Sequence, residues 1–269
     1  MEKLENTLTE LQKQLILDNF GKILISEIVK ITGVKYRSIT KFLKNRGLKL
    51  TKEERSTLYY QRKKKYEVNE TFFSERTPES FYWAGFIAAD GCIISKSRLQ
   101  IKLSITDINH LETFKTNIGY TGVIKEVSSL RLDKRHFGAL LYICCKEIVS
   151  DLFEVFKIGK RKSLTLTPPD LQGVDVDYFI KGYFDGDGTI YKKKQYLCCR
   201  FYGTREINEW IKDRVDFLYG KNSGSLFKKR NIYCFELNPK ATLFFGNYFS
   251  NLKTPFLKRK WEKFNQDES

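Results

Sequence analysis

No stretch of 18 apolar residues occurs in this chain, so no segment of it reads as a membrane-spanning helix. The start, Met-Glu-Lys-Leu-Glu-Asn, carries no signal-peptide hydrophobic stretch. Both readings lead us to expect an intracellular protein, in the cytoplasm or nucleoid of a host cell, with no membrane partner. Histidine is scarce: His110 and His136 are the only two, too few and too far apart in sequence for a histidine-built metal centre. The six cysteines include no Cys-x-x-Cys pair, which argues against a zinc site. Cys144-Cys145 and Cys198-Cys199 instead sit side by side in strand-like runs, where neighbours point to opposite faces, so each pair should give one core and one surface thiol. Acidic residues are also in deficit, 32 against 48 lysines and arginines, for a net charge of +16 over 269 residues. A surplus of that size favours a polyanionic partner, and nucleic acid is the natural one.

What the chain does have is a motif written twice. Residues 83–91 read WAGFIAADG and residues 180–188 read IKGYFDGDG. Each is an apolar helix with small residues four apart, Gly85 and Ala89 in the first, Gly182 and Gly186 in the second, and each delivers an Asp-Gly at its end. Small residues at that spacing make a flat stripe that lets two helix backbones approach closely. The approach would bring Asp90 and Asp187 together. Two adjacent carboxylates resist joint ionisation unless cations lie between them, so the pair implies divalent metal. Further residues repeat in register: Gly159-Lys160-Arg161-Lys162 follows the first motif and Leu257-Lys258-Arg259-Lys260 the second, with Lys162 and Lys260 at nearly equal distances from the two acids. The chain reads as one duplicated half-domain.

Both nonapeptides resemble the LAGLIDADG motif of homing endonucleases, over roughly residues 78–264. The resemblance implies an α+β fold: two pseudo-symmetric αββαββα halves with saddle-shaped antiparallel sheets, residues 67–170 and 171–269. It implies a monomeric, site-specific double-strand DNA endonuclease of the mobile-intron kind. It also implies Asp90 and Asp187 as catalytic metal ligands, with Gly91 and Gly188 in the ligand set, Mg²⁺ or Mn²⁺ as the ion, and Lys162 and Lys260 as basic partners organising the active-site water. Two positions depart from the motif. Lys181 stands where a small residue is usual, and the sixth position is Ala88 in one copy and Asp185 in the other, so Asp185 need not be catalytic. An intron RNA maturase or a non-cleaving DNA-binding regulator on the same scaffold stays open beside the nuclease.

Residues 1–66 read as a separate, small all-α helix-turn-helix-like domain with a basic linker. Ile25 to Val29 begins a short helix, Gly33 makes the turn, and Val34, Ile39 and Leu43 face inward on a second helix. Lys35, Tyr36, Arg37, Ser38, Lys41 and Lys44 then lie on its exposed face as DNA contacts. Residues 35–65 carry 12 lysines and arginines against Glu53 and Glu54, a phosphate-seeking composition, and end in Arg62-Lys63-Lys64-Lys65.

In the body, Thr77 and Pro78 start the first motif helix, and Asp175 is expected to cap the second. Arg98 to Thr106 alternates strictly, placing Arg98, Gln100, Lys102 and Ser104 on one outward face. Tyr196, Arg200 and Tyr202 are the outward residues of the matching second-half strand, and Lys228, Lys229 and Arg230 form a hairpin turn. These are the expected contacts to a long asymmetric duplex site.

Overall fold

The computed structural model describes residues 8–63, 66–131 and 134–265, and these divide into two compact units, residues 1–66 and 67–269. Lys64 and Lys65, the end of the expected linker, lie outside the described residues.

The first unit is helical throughout: α1 (Glu10–Asn19), α2 (Ile25–Thr32), α3 (Tyr36–Asn45) and α4 (Lys52–Lys63). Thr9 opens α1 with a capping box, its hydroxyl accepting from the Gln12 amide while the Gln12 side chain accepts from Thr9 N–H. Gly33 ends α2 in the left-handed region at φ 66°, the conformation that glycine tolerates best. The turn lets α3 fold back so that Val34, Ile39, Phe42 and Leu43 join Ile16 and Ile28 in a small core. Helix α4 was not expected; its sequence is strongly charged and has little apolar periodicity to announce it.

The second unit repeats one order twice. The first half runs α5 (Pro78–Asp90), β1 (Gly91–Ser95), β2 (Arg98–Ser104), α6 (Ile108–Asn117), β3 (Lys125–Arg131), β4 (Lys134–Cys144) and α7 (Lys146–Glu154). The second runs α8 (Val174–Asp187), β5 (Thr189–Lys193), β6 (Tyr196–Gly203), α9 (Arg205–Tyr219), β7 (Gly224–Lys229), β8 (Ile232–Leu237) and α10 (Pro239–Ser250), followed by α11 (Lys258–Asn265). The two antiparallel sheets have matching strand orders, β1-β2-β4-β3 and β5-β6-β8-β7. Fold class and the two αββαββα halves are as expected.

Thr77 caps α5 and Pro78 takes its first position. At α8 the expectation fails: Gly173 is the cap residue, at φ 57°, and Asp175 lies inside the first turn. Asp177, one turn into the helix, takes a bidentate Arg214 at 2.7 and 2.9 Å and the Tyr248 hydroxyl at 2.8 Å. The thiol expectation holds for Cys144, exposed, and Cys145, buried, but Cys198 and Cys199 are both buried. Cys198 does face away from the helices; Tyr191 lies directly opposite it in the β5–β6 register and helps cover it.

Helices α5 and α8 pack against each other at the centre, buried from Phe81 to Ala88 and from Phe179 to Asp185, and one continuous core spreads from them under both sheets. A methyl group on Gly85 would lie 2.0 Å from the Phe179 carbonyl oxygen, and one on Gly182 would lie 1.8 Å from that of Tyr82. The two clashes are reciprocal, as a two-fold relation between the helices requires. Further along, Gly186 meets its own equivalent, Ala89.

Candidate active site and nucleic-acid interface

The small-residue stripe is what places the acids. Because Gly186 and Ala89 let α5 and α8 touch at their carboxy ends, Asp90 and Asp187 emerge at the same place, each at the root of the first strand of its sheet. Asp90 keeps solvent on one side; Asp187 is half buried. Loss of water to the surrounding protein pushes Asp90 above the ordinary carboxylate range. Burial, with the Asp90 charge adding to it, lifts Asp187 to about 6. Two hard oxygen donors, both disfavoured as bare anions, are a donor set suited to a divalent cation. The amide of Gly188 donates to the Phe184 carbonyl, and the Gly188 carbonyl accepts from Lys260.

The two basic partners are not surface ammonium groups: Lys162 is 7% exposed and Lys260 is 6%. Each reaches back to the end of its own motif helix. Lys162, in a short 3-10 turn at Lys162–Leu164, donates to the Ala89 carbonyl. Lys260 donates to the carbonyls of Phe184, Gly186 and Gly188 at 2.9, 2.9 and 2.7 Å, which uses all three ammonium protons. Helix carboxy ends carry unpaired carbonyls and partial negative charge, so a buried ammonium is a good cap there. Burial pushes the Lys162 ammonium down, against Asp187 and then Asp90. Burial likewise lowers Lys260, to about 8. Charge contacts run crosswise: Lys162 lines a cavity of about 210 Å³ with Asp187, and Lys260 is the strongest opposing charge on Asp90.

The strand residues fall largely where alternation put them. Arg98, Lys102 and Ser104 are exposed and Gln100 half buried on the sheet face opposite the core residues Leu99, Ile101 and Leu103. In the second half Tyr196 is exposed, and Arg200 and Tyr202 half buried, on the equivalent face. Lys229 shares that face and sits over the Tyr202 ring at 5.3 Å, but Lys228 lies opposite Tyr233 on the helix-covered side. Arg230 takes the turn at φ 57°. Arg200 is not a loose cation: its Nε donates to Glu236 at 2.6 Å and its guanidinium lies 4.4 Å from the Tyr191 ring centre. Glu236 and Tyr191 escaped the sequence reading, although Glu236 occupies an outward hairpin position that alternation could have assigned. In the first unit Lys35, Tyr36, Arg37, Lys41 and Lys44 are exposed and Ser38 half buried, all at the start or along the outer side of α3.

Neither a family model nor a curated protein matches the sequence. Solved structures do. The homing endonuclease I-WcaI, bound to its DNA recognition sequence, is 14% identical over 76% of this chain and 92% of its own, with a TM-score of 0.53. The meganuclease I-AabMI bound to uncleaved DNA is 16% identical over 70% of this chain and 89% of its own, at 0.47. The amino-terminal LAGLIDADG domain of DUF199/WhiA is 14% identical over 74% and 92%, at 0.47. The match to I-WcaI shows that most of this chain has the LAGLIDADG fold; at that identity, fold is what is shared. No helix among the described residues is long and apolar enough to cross a membrane.

Proposed function

We propose that this protein is a divalent-metal-dependent endonuclease that cuts double-stranded DNA at a long, asymmetric site, and that it does so as a monomer because one chain carries both halves. The observation that carries the reading is the meeting of Asp90 and Asp187 at the ends of two glycine-packed helices, at the roots of two open sheets whose outer faces bear Arg98, Lys102, Arg200 and Lys229.

Asp90 and Asp187 would hold Mg²⁺ or Mn²⁺, with Gly91 and Gly188 next to them in the chain and the Gly188 carbonyl shared with Lys260. The bound ion would neutralise charge on the phosphate being cut and on the leaving oxygen. Lys260, its protons committed to carbonyls, acts as a fixed positive charge rather than a proton donor. Lys162, beside Asp187 in the cavity, is the better placed to meet an attacking water. In the first unit, α2, the Gly33 turn and α3 serve as a helix-turn-helix that extends the contact with DNA, and the +16 net charge supplies non-specific affinity.

The test is cleavage of a randomised duplex library with Mg²⁺, followed by sequencing of the ends, with Asp187→Asn as the control. A single recovered site, cut only by the unaltered protein, supports the reading. Specific binding without cutting would replace it with a regulator, and a preference for structured RNA with a maturase.

A further inference from the structure

Beyond the two acids, the body buries a polar cluster that the internal two-fold does not duplicate. Asp185 is fully buried, and its carboxylate accepts from the Tyr82 hydroxyl at 2.6 Å, the Leu257 amide at 2.8 Å and the Trp261 indole at 2.6 Å. Four residues away on the same helix, Lys181 donates to the Leu252 carbonyl at 2.7 Å. Both side chains of α8 thus grip the segment 252–261, the arm on which Lys260 rides. The arm also reaches the other half, where Arg259 makes a bidentate pair with Asp107 at 2.8 and 2.9 Å. In the first half the motif positions of Lys181 and Asp185 are Ala84 and Ala88, and the residue after Lys162 is Ser163 where the second half has Trp261.

We propose that Asp185 is a positioning residue, a buried latch that fastens the carboxy-terminal arm to the motif helices and so holds Lys260 on the carbonyls of Phe184, Gly186 and Gly188 at the end of the second motif helix. The cutting of one strand then depends on the latch and the cutting of the other does not. A buried carboxylate needs its charge and lone pairs matched by donors, and here one donor comes from the first half and two from the arm, so it joins three chain segments. Removing the arm's anchor need not unfold the body, because the motif helices remain packed through their glycines. The part of the proposal that concerns cutting rests on the nuclease reading; the fastening does not.

The experiment uses the full chain with Asp185→Asn and, as the milder variant, Trp261→Phe. An asparagine has one carbonyl oxygen for three donors, so at least one arm N–H loses its acceptor. Hydrogen exchange should rise in residues 252–264 of both variants and stay unchanged in β1 to β4. On supercoiled plasmid bearing the recovered site, nicked circles should accumulate, with linear product formed roughly 10–100-fold more slowly and the nicks confined to one strand. Unchanged exchange in the arm overturns the fastening. Raised exchange with both strands slowed equally, or neither slowed, overturns the positioning of Lys260. If the unaltered protein cuts no duplex, only the nuclease reading fails, and the exchange comparison decides the fastening by itself.

Discussion

The two halves of the body share a backbone plan and differ in chemistry where each closes. Around the second motif helix the closing contacts are polar: Lys181 on Leu252, Asp185 on Leu257 and Trp261, Lys260 on three carbonyls. Around the first, the corresponding motif positions are alanines, and Lys162 makes its contact with Ala89 alone of the α5 carbonyls. The asymmetry extends to the helix after the second strand, whose third residue is His110 in the first half and Ile207 in the second, both buried. His110 joins the Tyr82 hydroxyl at 3.0 Å and through it Asp185, so a buried polar chain runs from the first half into the second. A duplicated fold keeps the elements that set geometry symmetric and lets the surrounding groups diverge. The acids and the glycines are the symmetric part.

That division makes the largest expected effect symmetric. Asp90→Asn and Asp187→Asn should each abolish double-strand cleavage, by on the order of 10³-fold or more, because losing a ligand removes several kcal/mol of transition-state stabilisation. Specific binding, measured by gel shift at matched salt, should persist in both. Full cleavage by either variant would break the equivalence of the halves. On stability the expectation is also symmetric: Gly85→Ala and Gly182→Ala each drive a methyl into a backbone carbonyl, which has no rotamer to escape into. Each should cost about 3 kcal/mol or more in denaturant unfolding, or prevent folding. A tolerated alanine at one site only would show that the helices are not packed reciprocally.

Much of this was legible in the sequence, for identifiable reasons. The motif helices, the acid pair and the strand faces announce themselves through local spacing: small residues four apart, and alternation along Arg98 to Ser104. The burial of Lys162 and Lys260 did not, since a lysine's environment depends on where a distant helix ends, and those contacts span 72 residues or more. Lys181 was visible as a departure from the motif, and Asp185 as a difference between its two copies. Their purpose was not, because the Leu252 carbonyl that Lys181 holds and the Leu257 amide, Tyr82 hydroxyl and Trp261 indole that Asp185 holds are all distant in sequence and are brought together only by the fold.

The basic partners should separate the halves. Lys260→Met removes three hydrogen bonds and strands the Gly186 and Gly188 carbonyls, the Phe184 carbonyl keeping the Gly188 amide, whereas Lys162→Met strands one, so thermal or denaturant unfolding should show a loss of about 2–4 kcal/mol for the first and about 1 kcal/mol for the second. Single-turnover cleavage should slow in both. Equal losses of stability would mean that the three bonds of Lys260 count for no more than one.

A smaller, pH-dependent difference follows from His110. Burial is the main cause that lowers its imidazole to about 4; nearby Lys260 and Arg259 act in the same sense and Asp107 opposes them. The ordinary value for the unfolded chain is about 6.5. At pH 7 the ring is neutral in both states and contributes nothing to pH dependence. As pH falls through 6.5 the unfolded chain gains a proton that the folded one refuses until about 4, so stability should fall across that window, by on the order of 3 kcal/mol at most. In His110→Gln, which can still bond Tyr82, this component should vanish. The difference between the two unfolding curves from pH 4 to 7 isolates the ring from carboxyls titrating in the same range. Parallel curves would place the His110 ring in contact with water, and with it the polar chain to Asp185 would lose its buried link.

The mildest effect should come from the unit that belongs to neither half. This unit has a core of its own, separate from that of the body, so a chain starting at Glu67 keeps both motif helices and the core around them. It should still cut at high concentration, with the same strand order as the full chain. What it should lose is affinity, together with part of the salt dependence, since each phosphate contact removed flattens the slope of log affinity against log salt by roughly 0.9. Lys35, Arg37, Lys41 and Lys44 are exposed along α3, so a loss of about three to four in that slope is the expected size if all four meet phosphates. Footprinting should show the protected site shortened on one side only, because a single copy of the unit accompanies two halves. A footprint trimmed on both sides, or an unchanged slope, would mean that α3 faces something other than duplex DNA.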